Sequence, residues 1–242
     1  MINSRYIELT LTILTISIIV FLSFKWTDKK NNYPILLEVA GAKNFNNEDI
    51  LAFDFGEDSN LFKIDLKYYK ENIDSKPHIK DSKIFRSFPS KIQINLIERN
   101  PIAVIISDNF FIIDSDNISL PYVNFDLTLP VLTNFKDDSD LFTIGEEVQS
   151  PSIRTAVKIL DHLYKDYTDI YFSISEVSFN ENEEFDLILK NGKTRIFLGK
   201  SDFYFRLKKL DSFKKNIEEY NTLEKYKYVD LRYKNQVVVK ES

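Results

Sequence analysis

The stretch from Ile84 to Ile105 restricts the possible folds of this chain more than any other. Pro89 interrupts its first apolar run, and a proline, which lacks a backbone N–H, suits the turn between two strands better than the interior of either. After the turn, apolar residues recur at every second position, so Ile92, Ile94 and Leu96 would share one face of a strand. The stretch is therefore predicted to be a β-hairpin with one face against a core.

A second sheet is predicted to begin directly after this hairpin. The polar segment from Glu98 to Pro101 ends the strand, and the apolar run from Ile102 to Ile106 starts a new one. We therefore expect one domain over residues 34–101 and another over residues 102–242.

The composition is that of a folded protein, with 43% hydrophobic and 29% charged residues. A net charge of −5 argues against nucleic acid as a partner, because phosphate binding requires clustered Lys and Arg. The chain has no cysteine, which excludes disulfides and thiolate metal sites.

The most hydrophobic run, from Ile7 to Phe24, is long enough to span a bilayer as a helix. A signal peptide is the competing interpretation, but its apolar core is usually shorter, and no small-residue cleavage site follows here. We predict a retained anchor over residues 7–26, after a tail of residues 1–6 and before a linker of residues 27–33, with Trp26 at the membrane interface.

The first domain is predicted to contain a strand, two helices and the two strands of the hairpin. A strand is expected from Ile35 to Val39, and a first helix would contain Ile50, Leu51 and Phe53. A second helix would start near Asp65 and place Leu66, Tyr69 and Ile73 on one apolar stripe, and the hairpin strands would be Ile79–Phe85 and Lys91–Ile97.

The second domain is predicted to be a mixed sheet with two helices. Apolar residues at helical spacing mark one helix from Pro151 and another from Phe203 to near Tyr220. The strands would be Ile102–Ile106, Phe110–Ile113, Ile174–Phe179, Phe185–Leu189, Arg195–Leu198 and Gln236–Lys240, with tight turns at Asp108–Asn109, Asn191–Gly192 and Lys234–Asn235.

The residues expected of an enzyme are scarce. The two histidines, His78 and His162, are far apart in sequence and have no nucleophile motif nearby, and five glycines form no phosphate-binding loop. The acidic clusters Asp137–Asp140 and Glu181–Glu184 lack the spacing of a calcium loop and are interpreted as solvated loops. We predict a binding protein, without catalytic residues, metal or cofactor.

The predicted last strand is the candidate binding site. A strand that comes last in its sheet often has an unpaired edge, and such an edge can accept a partner strand through main-chain hydrogen bonds. Val237, Val238 and Val239 favour the extended conformation and lack the charges that protect an edge. The alternative is that this strand simply completes the sheet.

Several motifs along the chain match one known family. The pattern R-x-[WF]-P followed by [LIV]-x-E-R-x-P-x-A is matched by Arg86, Phe88, Pro89, Leu96, Glu98, Arg99, Pro101 and Ala103. Val39 with Gly41, the segment from Leu129 to Thr133, and the closing segment YVDLRY from Tyr228 to Tyr233 also fit. The chain resembles the FtsQ/DivIB family of bacterial cell-division proteins from the anchor to the C-terminus.

The resemblance implies an α+β fold with a POTRA domain (strand, helix, helix, strand, strand) and a following β domain. It further implies an assembly function, in which the last strand binds a coiled-coil protein of the FtsB type and, with FtsL, connects to the septal synthase pair FtsW and FtsI. Carried over to this sequence, the partner-binding residues would be Arg232, Tyr233, Gln236, Val237, Val238 and Val239.

The resemblance also implies an orientation. The N-terminus would lie in the cytoplasm and both domains outside the inner membrane, at the division septum. The charges favour the opposite, because Lys25, Lys29 and Lys30 follow the anchor and Arg5 precedes it. We follow the resemblance, since a six-residue tail carries little weight in a charge rule.

Four further residues are expected at the domain junction. Arg86, Glu98, Arg99 and Pro101 bracket the hairpin, where charged residues commonly form a local salt bridge that fixes a joint.

Two other functions stay open. An outer-membrane assembly or secretion module would have repeated POTRA units or a barrel, and an anchored envelope enzyme would have a cleft with a perturbed acid pair.

Overall fold

The computed structural model describes residues 4–29, 34–42, 61–106, 110–121, 128–135, 142–191, 194–219 and 221–242. Two compact units divide the chain: residues 1–75 with 79–98, and residues 76–78 with 99–242. Four predicted features lie outside the described residues, namely the first helix of the first domain, the turn at Asp108–Asn109, Gly192 and the cluster Asp137–Asp140.

Helix α1 runs from Ser4 to Lys29, and its 26 residues correspond to a rise of about 39 Å. Within it, the segment from Glu8 to Lys25 has a mean hydropathy of 1.8, and none of it is buried. The helix is thus long and apolar enough to cross a membrane, as the sequence predicts. The side chains of Arg5 and Trp26 are not among those described.

The described strands of the first unit form a sheet in the order β1-β3-β2. Its elements are β1 (Leu36–Ala40), α2 (Leu66–Asp74), β2 (Ile79–Ser87) and β3 (Lys91–Glu98). Strands β2 and β3 pair in antiparallel fashion, and β1 runs parallel to β3. Helix α2 starts where the sequence predicts, because the Asp65 side chain accepts hydrogen bonds from the N–H groups of Lys67 and Tyr68.

Alternation along β3 builds the core of this unit. Ile92, Ile94 and Leu96 are at most 5% exposed and contact Ile73 of α2 and Ile79 of β2 in one cluster. The predicted hairpin and its buried face are therefore confirmed.

Nine described strands form the sheet of the second unit, in the order β12-β11-β10-β9-β8-β7-β4-β5-β6. The strands are β4 (Pro101–Ile106), β5 (Phe110–Asp114), β6 (Ser119–Leu120), β7 (Val131–Thr133), β8 (Ile174–Phe179), β9 (Phe185–Leu189), β10 (Arg195–Gly199), β11 (Tyr226–Asp230) and β12 (Val238–Glu241). The helices are α3 (Pro151–Asp166), α4 (Thr168–Ser173) and α5 (Phe203–Ile217), and a short 3-10 helix (Leu223–Lys225) precedes β11.

The two predicted helices of this unit are present and cover one face of the sheet. Pro151 opens α3 after the N-cap Ser150, whose hydroxyl accepts a hydrogen bond from the N–H of Ile153. Ile153, Val157, Leu160 and Leu163 of α3 are buried, and Leu207 and Leu210 of α5 join the same core.

Three predictions for this unit need correction. Among the described residues there are three α-helices instead of two, because α4 adds one short turn packed through Ile170 and Tyr171. The predicted strands omit three that the structure contains: β7 (Val131–Thr133), which lies between β4 and β8, and the strands β6 and β11. The last strand begins at Val238 and not at Gln236.

Candidate functional site at the sheet edge

Strand β12 lies at one margin of the nine-stranded sheet formed by the described residues. It pairs in antiparallel fashion with β11, where Val238 is opposite Asp230 and Val239 is opposite Val229. Val239 packs against the core, as does Val237, which precedes the strand. Because Val238 alternates with Val239, its side chain lies on the opposite face of the sheet.

The contacts of Lys209 explain why β12 begins two residues later than predicted. The ammonium group of Lys209 in α5 donates to the carbonyl oxygens of Leu231 at 2.7 Å, Tyr233 at 2.6 Å and Gln236 at 3.4 Å. These three oxygens belong to the loop between β11 and β12, which turns at Lys234 as the sequence predicts. Since Gln236 is held in the loop, regular pairing begins two residues later. We call this arrangement the Lys209 clamp.

The Lys209 ammonium is partly enclosed by this loop. Burial lowers its pKa, and the nearby positive charge of Arg206 lowers it further, whereas Asp230 raises it. Sequence reasoning did not single out this lysine. The sequence shows that Lys209 lies next to the apolar residue Leu210 of α5. It does not show which backbone oxygens the lysine reaches, because these lie 22 to 27 residues further along the chain.

Arg232 is tied to its own domain. Its guanidinium makes two hydrogen bonds to Asp230, at 2.9 and 2.6 Å, and a third to Glu184 at 3.0 Å. It also lies over the ring of Phe197, with 5.0 Å between Cζ and the ring centroid. The hydrogen bonds to Asp230 raise the pKa of Arg232. Burial raises the pKa of Asp230, but the hydrogen bonds from Arg232 hold it below its usual value overall.

A shallow pocket of about 520 Å³ lies between α5 and the clamped loop. Tyr233 is 50% exposed and Phe205 is 58% exposed, and both line the pocket, so two aromatic side chains face solvent beside the clamped loop. The lining is otherwise largely basic and includes Arg206, Lys209, Arg232 and Lys234. The structure thus brings together the predicted residues Arg232, Tyr233 and Gln236 around the Lys209 clamp.

The two predicted junction arginines, Arg86 and Arg99, each bind residues of one unit. Arg86 donates to the backbone carbonyl oxygens of Leu61 and Ile64, both in the first unit. Arg99 pairs with the buried carboxylate of Asp114 at 2.8 Å, in the second unit.

The remaining two junction residues lie at strand ends. Glu98 ends β3 opposite Ile79, and Pro101 begins β4. No group of three or more His, Cys, Asp or Glu that could hold a metal ion occurs in the described part of the chain.

One buried carboxyl was not anticipated. Asp186 of β9 is 2% exposed, and its Oδ1 has no hydrogen-bond partner among the described residues. Burial raises its pKa to about 6, and Arg195, whose Nε lies 4.0 Å from Oδ2, offsets this in part. Alternation places Asp186 on the sheet face away from the helices, where a sequence would predict a solvated charge.

These features define a class of protein: an apolar helix of membrane-spanning length, a small sheet unit, and a larger mixed sheet whose last strand is at an edge. Residues 37–99 match the family described as the POTRA domain, FtsQ-type. Residues 100–240 match the family described as FtsQ/DivIB, C-terminal related. The chain belongs to the FtsQ/DivIB family of cell-division proteins.

Individual relatives agree with this assignment. The cell division protein FtsQ of Syntrophotalea carbinolica is 24% identical over 207 residues, covering 84% of this chain and 72% of that protein. The FtsQ of Geobacter sp. (strain M21) is 24% identical over 213 residues, covering 85% and 74%. The cell division protein DivIB of Clostridium tetani is 35% identical over 115 residues, covering 45% and 41%.

Proposed function

We propose that this protein is a non-enzymatic scaffold of the bacterial division machinery that binds its partner by strand addition at β12. The observation that supports this proposal is the edge position of β12, with a single neighbouring strand among the described residues. A partner strand would gain main-chain hydrogen bonds along Val238 to Glu241, and alternate side chains would set its register.

The clamped loop would give this edge its specificity. Exposed Tyr233 and Phe205 would act as aromatic anchors, because binding interfaces depend on a few aromatic or Arg side chains. Arg232 would keep its hydrogen bonds to Asp230 and present the outer side of its guanidinium. The residues that precede the strand, Gln236 and Val237, would contribute through the loop.

The proposed partner is a coiled-coil division protein of the FtsB type, acting with FtsL and, through them, with a septal synthase pair of the FtsW and FtsI type. Helix α1 would anchor the protein in the inner membrane with its N-terminus in the cytoplasm, and both units would lie outside at the septum. Confinement to a membrane would raise the effective concentration of the anchored partners.

Proline substitutions in β12 test the proposal. Successive residues of an antiparallel strand direct their N–H groups to opposite sides, so either Val238 or Val239 directs its N–H outward. We expect one of Val238→Pro and Val239→Pro to lower partner affinity about tenfold or more, because the variant loses a donor and gains a ring at the edge. Affinity is measured with the purified membrane protein and an FtsB-type partner.

The matched control is Val238→Thr, which keeps both the N–H and β-branching and should bind as the parent does. Circular dichroism spectra check that each variant is folded. Unchanged affinity of both proline variants would contradict strand addition.

Depletion in cells separates this function from an outer-membrane assembly module: loss of a division scaffold gives filaments, whereas loss of the module gives a leaking envelope.

A further inference from the structure

Two exposed aromatic side chains meet at the turn of the β2–β3 hairpin: Phe88 belongs to the turn, and Phe62 belongs to the segment before α2. Phe88 is 67% exposed and Phe62 is 51% exposed, and their ring centroids lie 5.4 Å apart. Arg86 keeps the two segments together, because its guanidinium donates to the carbonyl oxygens of Leu61 at 2.7 Å and Ile64 at 2.5 Å. We call Phe62 and Phe88 the aromatic tip.

The aromatic tip lies at the end of the sheet where the chain arrives from α1. Strand β1 runs parallel to β3, so its first residue, Leu36, lies opposite Lys91. The N–H of Leu36 also donates to the carbonyl oxygen of Ser90 in the turn, at 2.9 Å. Leu36 itself is 58% exposed. The start of β1 and the turn of the hairpin therefore share one end of the unit.

A short tether keeps this end near the membrane. Residues 30–35 connect α1 to β1, so seven Cα–Cα steps separate Lys29 from Leu36. An extended chain spans at most about 3.6 Å per residue, which limits the distance from Lys29 to Leu36 to about 25 Å. Lys29 itself lies about 6 Å of helix beyond Lys25, where the apolar segment ends. Since α1 is long and apolar enough to cross a membrane, the tether gives the tip an effective concentration at the bilayer on the order of millimolar.

We propose that the aromatic tip docks into the interfacial layer of the bilayer that α1 spans. Exposed aromatic rings next to a basic residue suit this layer, because the rings enter the boundary of the acyl chains while a lysine approaches anionic headgroups. Lys63, which follows Phe62 and is exposed, supplies that charge. A lipid surface is the occupant that the tether favours, and docking there orients the first sheet with its hairpin turn toward the membrane.

Fluorescence quenching by lipids tests this docking. The full-length protein is reconstituted into vesicles of phosphatidylethanolamine and phosphatidylglycerol whose acyl chains carry bromine. Trp26→Phe removes the chain's one native tryptophan, and Phe88→Trp introduces a reporter at the tip. We expect this reporter to lose about half of its emission relative to vesicles without bromine, because an interfacial ring lies within reach of the brominated chains.

The matched control is Ile97→Trp in the same Trp26→Phe background. Ile97 is 48% exposed and lies on β3, six residues beyond Lys91, which places it about 20 Å from the turn end of the same sheet. Its emission should change little. Equal quenching at both positions, or none at Phe88→Trp, would overturn the proposal. Phe62→Trp provides a second reporter, and it decides the outcome if circular dichroism shows that Phe88→Trp is misfolded.

Discussion

One edge strand of each sheet, β2 in the first and β12 in the second, differs in whether a side chain covers its backbone. Strand β2 is at one margin of the first sheet as described, and its backbone is already occupied there: the Lys70 ammonium donates to the carbonyl oxygen of Ser82. The same ammonium contacts Asp74 at 2.7 Å and Asp81 at 3.1 Å. A charge of the protein's own thus covers this edge, which is a common way to prevent unwanted strand pairing.

Strand β12 at the margin of the second sheet lacks such a cover. Among the described residues, no side chain forms a hydrogen bond to the backbone of β12, and Lys209 of α5 binds the preceding loop instead. An ammonium group carries three donors in both cases. Lys70 binds the backbone of an edge strand and covers it. Lys209 binds the loop before an edge strand, so it holds the loop in place and leaves the edge uncovered.

Removing the Lys209 clamp should cause the largest loss of stability among the variants that test this comparison. Lys209→Met deletes hydrogen bonds from a charged donor to carbonyl oxygens, each worth about 1.5–3 kcal/mol at most and not additive, so we expect a local loss of about 3 kcal/mol. Amide hydrogen exchange in the loop from Arg232 to Val237 should accelerate, while exchange in β9 stays as it is in the parent.

The control for the clamp is Lys208→Met, one position away on α5 and exposed. It should leave loop exchange unchanged. If Lys209→Met exchanged at the parental rate as well, the clamp would not hold the loop. Partner affinity measured on the same variants then shows whether a loosened loop also weakens binding.

The buried carboxyl of the second sheet gives the next largest effect. The pKa of Asp186 is raised to about 6, above the unfolded value of about 3.9. The folded state therefore binds more protons between about pH 4 and pH 6, and stability falls as pH rises through that window. Asp186→Asn, which removes the charge, should raise the free energy of unfolding by about 2 kcal/mol at pH 7 and much less at pH 4.

Thermal unfolding of both proteins at the two pH values measures this difference. Asp81→Asn is the contrasting variant in the first sheet, because the hydrogen bond from Lys70 lowers the pKa of Asp81. The stability from that pair is present above the unfolded pKa and is lost as pH falls, so Asp81→Asn should destabilise at neutral pH. A lower stability of Asp186→Asn at pH 7 would refute the assignment of a buried, unfavourable charge.

Uncovering the edge of β2 should have the smallest effect on stability. Lys70→Met frees the carbonyl oxygen of Ser82, but the Lys70 side chain is 42% exposed, so screening by water limits the loss to about 1 kcal/mol. The sharper expectation is new self-association through the freed edge, detected by sedimentation of the detergent-solubilised protein. Lys67→Met, which removes a more exposed pair with Glu71 on the same helix, should stay unchanged in association.

Much of the fold could be predicted because its signals are local. Pro89 predicted the hairpin turn, alternation predicted the buried face of β3, and Asp65 and Pro151 marked helix starts that the structure confirms. The short strand β7 and the single turn of α4 were missed, since three to six residues carry too little periodicity.

The candidate site was predicted only in outline. Arg232 and Tyr233 came from a motif, yet the contacts of Arg232 with Glu184 and Phe197 join residues far apart in sequence. Arg86 was placed at a domain junction by its position next to the turn, whereas its guanidinium binds the backbone at Leu61 and Ile64. Sequence spacing gives no information about which distant carbonyl oxygen a long cationic side chain reaches.

The sequence by itself determined the long apolar helix, the alternating strands, the helix starts and the family. The strands and helix starts follow from burial and capping, which depend on neighbours a few residues away. The apolar helix follows from the composition of one segment, and the family follows from motifs along the chain. The tertiary structure alone decided that β12 lies at a margin, that Lys209 shortens it by holding the preceding loop, and that Asp186 is buried. Strand order and side-chain reach depend on contacts between distant residues, and local patterns carry no information about those contacts.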